Sequence, residues 1–197
     1  MDLTVFLEPK LDLERLAAAL DGMGHEGRLH CVRGWGKHRQ AEIYEAVKGF
    51  RPLTLDHLVP PSVGPLVEVI HDGKNTLPAF SNFQKRFCRP PADANAGEVA
   101  WGYNHATLAG ITGPGYFVAR PSEKGDGELW IDYRSLPPDR VTTWPEIIPN
   151  TAKLGSLVYA GMVDYLRGIS EHVSIGRAEK GGKLMDAWFC LVRRDPN

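Results

Sequence analysis

Apolar positions recur every three to four residues early in the chain and every second residue after about residue 65. The pattern predicts helices first and strands afterwards. Asp12 precedes LERLAAALDGM, where Leu13, Leu16, Ala17 and Leu20 fall at i, i+3, i+4 and i+7 and Gly22 or Gly24 ends the stripe. A second helix is expected from about Lys37 to Lys48, with Ala41, Tyr44 and Val47 on one side and Gly49 as its stop. Between them, GRLHCVRGW alternates loosely and reads as a short strand. Thr54 is placed to cap one turn, LDHLV, before Pro60 and Pro61 force an extended connection.

From Pro65 onward strand-like runs alternate with turn chemistry: PLVEVIH, LPAFSNFQKRFCR, VAWGYNHATL, YFVARP and ELWIDY are separated by HDGKN, PPADANAGE, TGPG and SEKGDG. Such short connections favour antiparallel pairing, because parallel strands need crossovers of about a dozen residues or more. In TAKLGSLVYAGMVDYLRGIS, residues Leu154, Leu157, Val158, Gly161, Met162, Tyr165, Leu166 and Ile169 follow a 3.6-residue stripe, so a helix is predicted over 154–169. The remainder reads as a hairpin turning at Gly181 and Gly182, its last strand apolar on both faces. The expected fold is one α+β domain over 1–197. N-terminal helices pack on a curved, mainly antiparallel sheet or partly open barrel, and a helix precedes the C-terminal β-hairpin.

Composition sets limits on this picture. A chain of 197 residues can bury roughly 70% of its unfolded surface and needs no covalent staples. Lys and Arg number 12 against 13 Asp and Glu up to residue 100, and 11 against 11 beyond it. No global field therefore attracts nucleic acid or an anionic membrane. Three widely spaced cysteines, Cys31, Cys88 and Cys190, fit neither a disulfide framework nor a zinc-binding pair. The opening residues lack the basic flank and apolar run of a signal peptide, and the longest apolar stretch is Ala187 to Val192. A cytoplasmic location and no membrane partner are expected; the sequence leaves the oligomeric state open.

Candidate chemistry lies on the strands. Alternation puts Trp101, Tyr103, His105 and Thr107 on one face of their strand. If that face lined a pocket, His105 would shuttle protons and Tyr103 would donate to an anionic oxygen. The competing reading is a core strand with His105 at its rim. In the preceding run Phe83, Lys85 and Phe87 share one side and Asn82, Gln84, Arg86 and Cys88 the other. Arg86 could clamp a carboxylate, unless the pattern is a solvated face. Asp132 shares its face with Trp130, where desolvation would raise its pKa, unless a basic neighbour such as Arg134 pairs with it. Asp164 and Arg167 would form an exposed i, i+3 pair on the expected helix. Were that segment a strand, Asp164 would sit on an apolar face and need a partner, with Arg86 or His172 the first candidates.

Other signals are weaker. Arg28, Arg33, Lys37, His38 and Arg39 gather before a helix start, where an anion could dock, or they form a solvated basic loop. No P-loop, G-x-S-x-G, H-E-x-x-H or C-x-x-C occurs, and His25, His30 and Cys31 match no zinc spacing. Neither a cofactor nor a metal is expected. The resulting expectation is a pocket for a small, largely apolar ligand with an anionic or carbonyl group. Trp101, Tyr116, Trp130 and Arg86 would bind it, and His105, Asp132 and Tyr103 would supply proton transfer of isomerase, cyclase or dehydratase type. The alternative is a non-catalytic interaction or scaffold domain.

Overall fold

The computed structural model describes residues 11–78, 81–94, 97–105 and 112–195. Eight strands follow the alternating segment: β1 (Val69–Asn75), β2 (Asn82–Cys88), β3 (Ala100–His105), β4 (Tyr116–Pro121), β5 (Leu129–Asp132), β6 (Met162–Gly168), β7 (Val173–Lys180) and β8 (Lys183–Arg193). Each pairs antiparallel with the next, and β8 pairs back onto β1, so the sheet is a closed up-and-down barrel rather than a partly open one. Phe80, Ala106 and Thr107, which the sequence placed in strands, lie outside the described residues.

Closure divides every strand into an inward and an outward row. The registers Phe87↔Gly102↔Phe117 and Leu166↔Gly176↔Phe189 show how the inward rows meet. An eight-stranded barrel interior is just wide enough for side chains to fill it or for one small ligand, so large rings require small neighbours. A Cβ on Gly102 would lie 2.4 Å from the Phe117 ring, one on Gly176 2.2 Å from Phe189, and one on Gly73 2.6 Å from Phe83. Glycine is therefore a packing requirement at these three positions.

One end of the barrel is plugged. The segment carrying α4 (Leu55–Leu58) inserts Leu53, Leu55, Leu58 and Val59 into the cluster formed by Phe87, Phe117, Leu129, Ile131, Leu166 and Leu191. Buried His71 of β1 donates from Nε2 to the Leu58 carbonyl at 2.9 Å, and Arg193 of β8 donates to the carbonyls of Asp56 and His57 at 3.3 and 2.7 Å. Backbone of Arg51 bridges Gly168 of β6. The other end carries the β1–β2, β3–β4, β5–β6 and β7–β8 connections.

Outside the barrel, α1 (Leu13–Asp21), α2 (His25–Arg33) and α3 (Lys37–Ala46) cover the outward rows of β7 and β8. Leu16, Leu20, Leu29, Val32, Ile43 and Tyr44 pack on Val173, Ile175, Trp188, Cys190 and Val192. That layer is why β8 is apolar on both faces. As expected, Asp12 caps α1, its carboxylate accepting from the Arg15 amide at 3.1 Å. No helix among the described residues is long and apolar enough to cross a membrane.

Two expectations are corrected. GRLHCVRGW lies in α2 and the turn after it: Leu29 and Val32, three apart, face the barrel, and Arg28 reaches back to the Leu20 carbonyl at 3.2 Å and forward to Asp195 at 2.8 Å. The helix expected over 154–169 is one four-residue turn, α5 (Gly155–Val158), followed by strand β6. Gly161 at φ 71° breaks the helical path. Leu154, Leu157 and Val158, the first part of the apparent stripe, are exposed to solvent.

Replacing Gly176 with Ala should cost about 1–3 kcal/mol by overpacking, and Phe189→Leu in the same chain should recover part of it; urea midpoints with unchanged slopes would check this. Burial pushes the His71 pKa down to about 3, the bond to Leu58 only partly opposing it. Its folded pKa lies below the unfolded value near 6.5, so the associated stability is complete above that pH. It falls by about 1.4 kcal/mol per pH unit as the medium is acidified toward 3. His71→Gln, which keeps a donor for Leu58, should flatten the stability–pH curve by that slope between pH 6.5 and 5.

Candidate functional site

Inside the loop end, the inward rows converge on one amine. Lys85 of β2 is fully buried, and its Nζ lies 5.1 Å from the Phe117 ring centroid, 4.9 Å from Tyr133, 5.0 Å from Phe189 and 5.7 Å from Phe83. Side chains from β2, β4, β8 and the end of β5 can surround one atom only from within the barrel. The cross-strand register sets Lys85 opposite Asn104 of β3, and β6 directs Asp164 inward beside Ile131 and Ala178.

The ammonium donates to Asp164 Oδ2 at 3.1 Å, to Asn104 Oδ1 at 2.9 Å and to the Tyr133 hydroxyl. These use all three of its donors. Asn104 Nδ2 donates to Tyr133 Oη at 2.9 Å and to the Gly115 carbonyl at 3.2 Å. The turn Gly113-Pro114-Gly115 holds it in place, because the Asn104 amide also donates to the Pro114 carbonyl at 2.9 Å. Gly115, at φ 58°, lets the Tyr159 ring come close, and Tyr159 stacks on Tyr133 with centroids 5.5 Å apart.

Burial pushes the Lys85 pKa down while the Asp164 charge pulls it back up. For Tyr133, burial and then the Asp164 charge raise the pKa well above its ordinary value, keeping the phenol protonated. One valence of the network is open: Asp164 Oδ1, in a residue 2% exposed, has no partner among the described residues. The site thus combines a caged cation, a neutral phenol, an amide and a carboxylate oxygen free to accept a hydrogen bond or a proton.

No protein family, curated protein or solved structure matches this chain.

The seven residues expected from sequence all lie on outward rows. Arg86, Tyr103 and Tyr116 are neighbours across β2, β3 and β4, with Trp101 in the same patch. This patch is a second core. Trp144, from the β5–β6 connection, covers it with its centroid 4.9 Å from Tyr103, and Tyr116 Oη donates to the Pro145 carbonyl at 2.5 Å. Arg86 holds both oxygens of Glu68 at 3.1 Å, a carboxylate of its own chain, while Trp144 Nε1 donates to the same group at 2.6 Å. His105 stands exposed at the rim, where partial burial and then the Arg86 charge depress its pKa.

Trp130 and Asp132 belong to a separate group on β5. Asp132 accepts from Arg134 at 2.8 Å and from Arg120 at 2.9 Å. Burial pushes its pKa up, but these two guanidiniums outweigh burial and hold it below the usual carboxylate value. The rise expected beside Trp130 does not occur, because the basic neighbour supplies a charged hydrogen-bond partner. Of the basic residues grouped there by sequence, Lys37 and Arg39 lie in the first turn of α3 and pair with Asp186 and Glu42, while Arg28 is buried in α2. Among the described residues, no group of three or more His, Cys, Asp or Glu could hold a metal ion.

Lys85, Asn104, Tyr133 and Asp164 were not singled out as one site by sequence reasoning. Their signal was present nonetheless: Lys85 interrupts the row Phe83, Lys85, Phe87, and Asp164 interrupts the row Met162, Asp164, Leu166. Two opposite charges, each alone in an apolar period-two row, suit one another across a barrel.

Removing either charge leaves the other buried without compensation, so Lys85→Met or Asp164→Leu alone should destabilise by about 3–5 kcal/mol. The double substitution should range from neutral to about 4 kcal/mol more stable than the parent. A denaturant double-mutant cycle would measure the difference.

Proposed function

We propose that the barrel binds a small, largely apolar ligand whose carbonyl or anionic oxygen lies against Lys85 at the loop end. The observation carrying this reading is the fully buried Lys85 amine, caged by Phe83, Phe117, Tyr133 and Phe189 and fixed by Asp164, Asn104 and Tyr133. Apolar walls with a few convergent polar groups are the composition of a small-molecule site. A buried ion pair is a poor stabiliser compared with apolar residues of the same volume, so fold stability alone gives little reason to keep this one.

The ligand's oxygen would replace one of the three acceptors on Lys85. The open Asp164 Oδ1 adds a preference for a ligand that also presents a donor, such as a hydroxyl beside the carbonyl. The same geometry suits proton transfer: Asp164 Oδ1 would take a proton from the carbon next to a carbonyl while Lys85 or Tyr133 stabilises the oxyanion. The alternative, a non-catalytic interaction domain, draws support from exposed Leu154, Leu157 and Val158 on and beside α5. The aromatic patch around Trp101 and Tyr103 gives it none, since Trp144 already covers that surface.

Thermal melting against medium-chain ketones, hydroxyketones and carboxylic acids tests the proposal. A ligand at 100 times its Kd should stabilise by about 2.7 kcal/mol, which for a chain of this size is roughly 5–11 °C in Tm. The shift should vanish in the Lys85→Met/Asp164→Leu double variant and persist in His105→Ala. Loss of the shift in His105→Ala alone, or its retention in the double variant, would move the site off the barrel interior.

A further inference from the structure

The plugged end holds a second polar constellation, on the opposite side of the barrel core from Lys85. A cleft of about 490 Å³ is lined by Arg51, Asp56, His57, Ser170, Glu171 and Arg193, together with Thr54, Leu53 and prolines. Arg193 ends the inward row of β8 and is only 5% exposed. Among the described residues no carboxylate lies within ion-pair distance of it: its recorded hydrogen bonds go to the carbonyls of Asp56 and His57, and its Nε is buried without a partner. Ser170, 2% exposed, has a buried Oγ with no partner, and His57 Nε2 is likewise unpartnered.

Three buried, unpartnered groups that can donate belong to residues lining one cleft, and one of them carries a full charge. Each such group normally costs free energy unless an acceptor is supplied. The protein's own carboxylates there do not pair with Arg193, although the Glu171 charge acts on it at longer range. Asp56 pairs with Arg89 at 2.6 Å, and Glu171 is exposed, 3.8 Å from His172. Arg51, also in the lining, pairs with Asp21 at 3.2 Å.

From this arrangement we infer that the cleft is a binding site for a small oxyanion, a carboxylate or a phosphate, held by the Arg193 guanidinium, the Ser170 hydroxyl and the His57 Nε2–H. Burial keeps His57 neutral, the nearby His71 and Arg193 adding to the effect, so it serves as a neutral donor and the charge comes from Arg193. Planar guanidinium geometry suits both oxyanions. Their common feature is an array of acceptor oxygens that can satisfy three donors at once.

Titration calorimetry with inorganic phosphate and, separately, with acetate, each against chloride at matched ionic strength, tests the site. Saturable one-to-one binding of either anion is the expected result, and the tighter of the two identifies the class. Hydrogen bonds to charged groups are worth about 1.5–3 kcal/mol, so Ser170→Ala should weaken binding at least about tenfold. Arg193→Gln, which retains donors for the two carbonyls, should abolish binding. The Lys85→Met/Asp164→Leu variant should bind as the parent does, separating this site from the one at the loop end. Absence of saturable binding by both anions overturns the inference, as does a Ser170→Ala variant that titrates like the parent.

Discussion

Closure of eight strands into one barrel is the constraint from which the other features follow. With β8 paired to β1 there is no free sheet edge, and every second residue is committed to an interior just wide enough for side chains or one small ligand. Phe117 and Phe189 fit because Gly102 and Gly176 face them, and Lys85 fits because its stem lies among the same rings. The helices respond to the same geometry: outward rows of β7 and β8 are apolar and need cover, which α1, α2 and α3 supply. Opposite them, Trp144 covers the outward aromatics of β3 and β4.

Within that interior the Lys85–Asp164 pair is the costly element. Moving each ion out of water carries an effective penalty of several kcal/mol, which mutual attraction recovers only with good geometry and full hydrogen bonding. The Lys85 side meets this condition, with all three donors engaged by Asp164, Asn104 and Tyr133. The Asp164 side does not, since Oδ1 lacks a partner among the described residues. An incompletely satisfied polar network inside an apolar barrel is a poor structural device. It is a reasonable recognition device, because the missing hydrogen bond can come from a ligand.

Much of the architecture was legible in the chain. The period-two rows after Pro65, the turn residues between them, the Asp12 cap and the Gly181-Gly182 turn carry local information that tertiary contacts do not override. Closure was not legible, because pairing of β1 with β8 joins segments more than a hundred residues apart and leaves no local mark. Residues 154–169 misled because an apolar stripe at helical spacing was also compatible with a turn followed by a two-sided strand, and only Gly161 pointed to the break. As for the site, alternation correctly grouped Trp101, Tyr103 and His105 but could not say which face looks inward. The inward face of β3 turned out to be the one with Gly102 and Asn104, residues whose value lies in being small and in being able to bridge.

The two ends of the barrel differ in a way that bears on function. At the plugged end, Arg193 and His71 tie the α4 segment to β8 and β1 through backbone carbonyls, and Leu53, Leu55 and Leu58 fill the interior behind it. At the loop end the innermost polar group is instead a cation with its own counter-ion, and Phe83, the outermost ring around it, is only half-buried. At the plugged end the interior behind α4 is filled by Leu53, Leu55, Leu58 and Val59. The proposed apolar ligand would have to enter at the loop end, past the rings around Lys85. The inferred oxyanion would meet the other situation: among the described residues Arg193 at the plugged end has no carboxylate within ion-pair distance, whereas Lys85 at the loop end is paired with Asp164. The two proposed sites thus differ in where along the barrel axis charge is paired and where it is not.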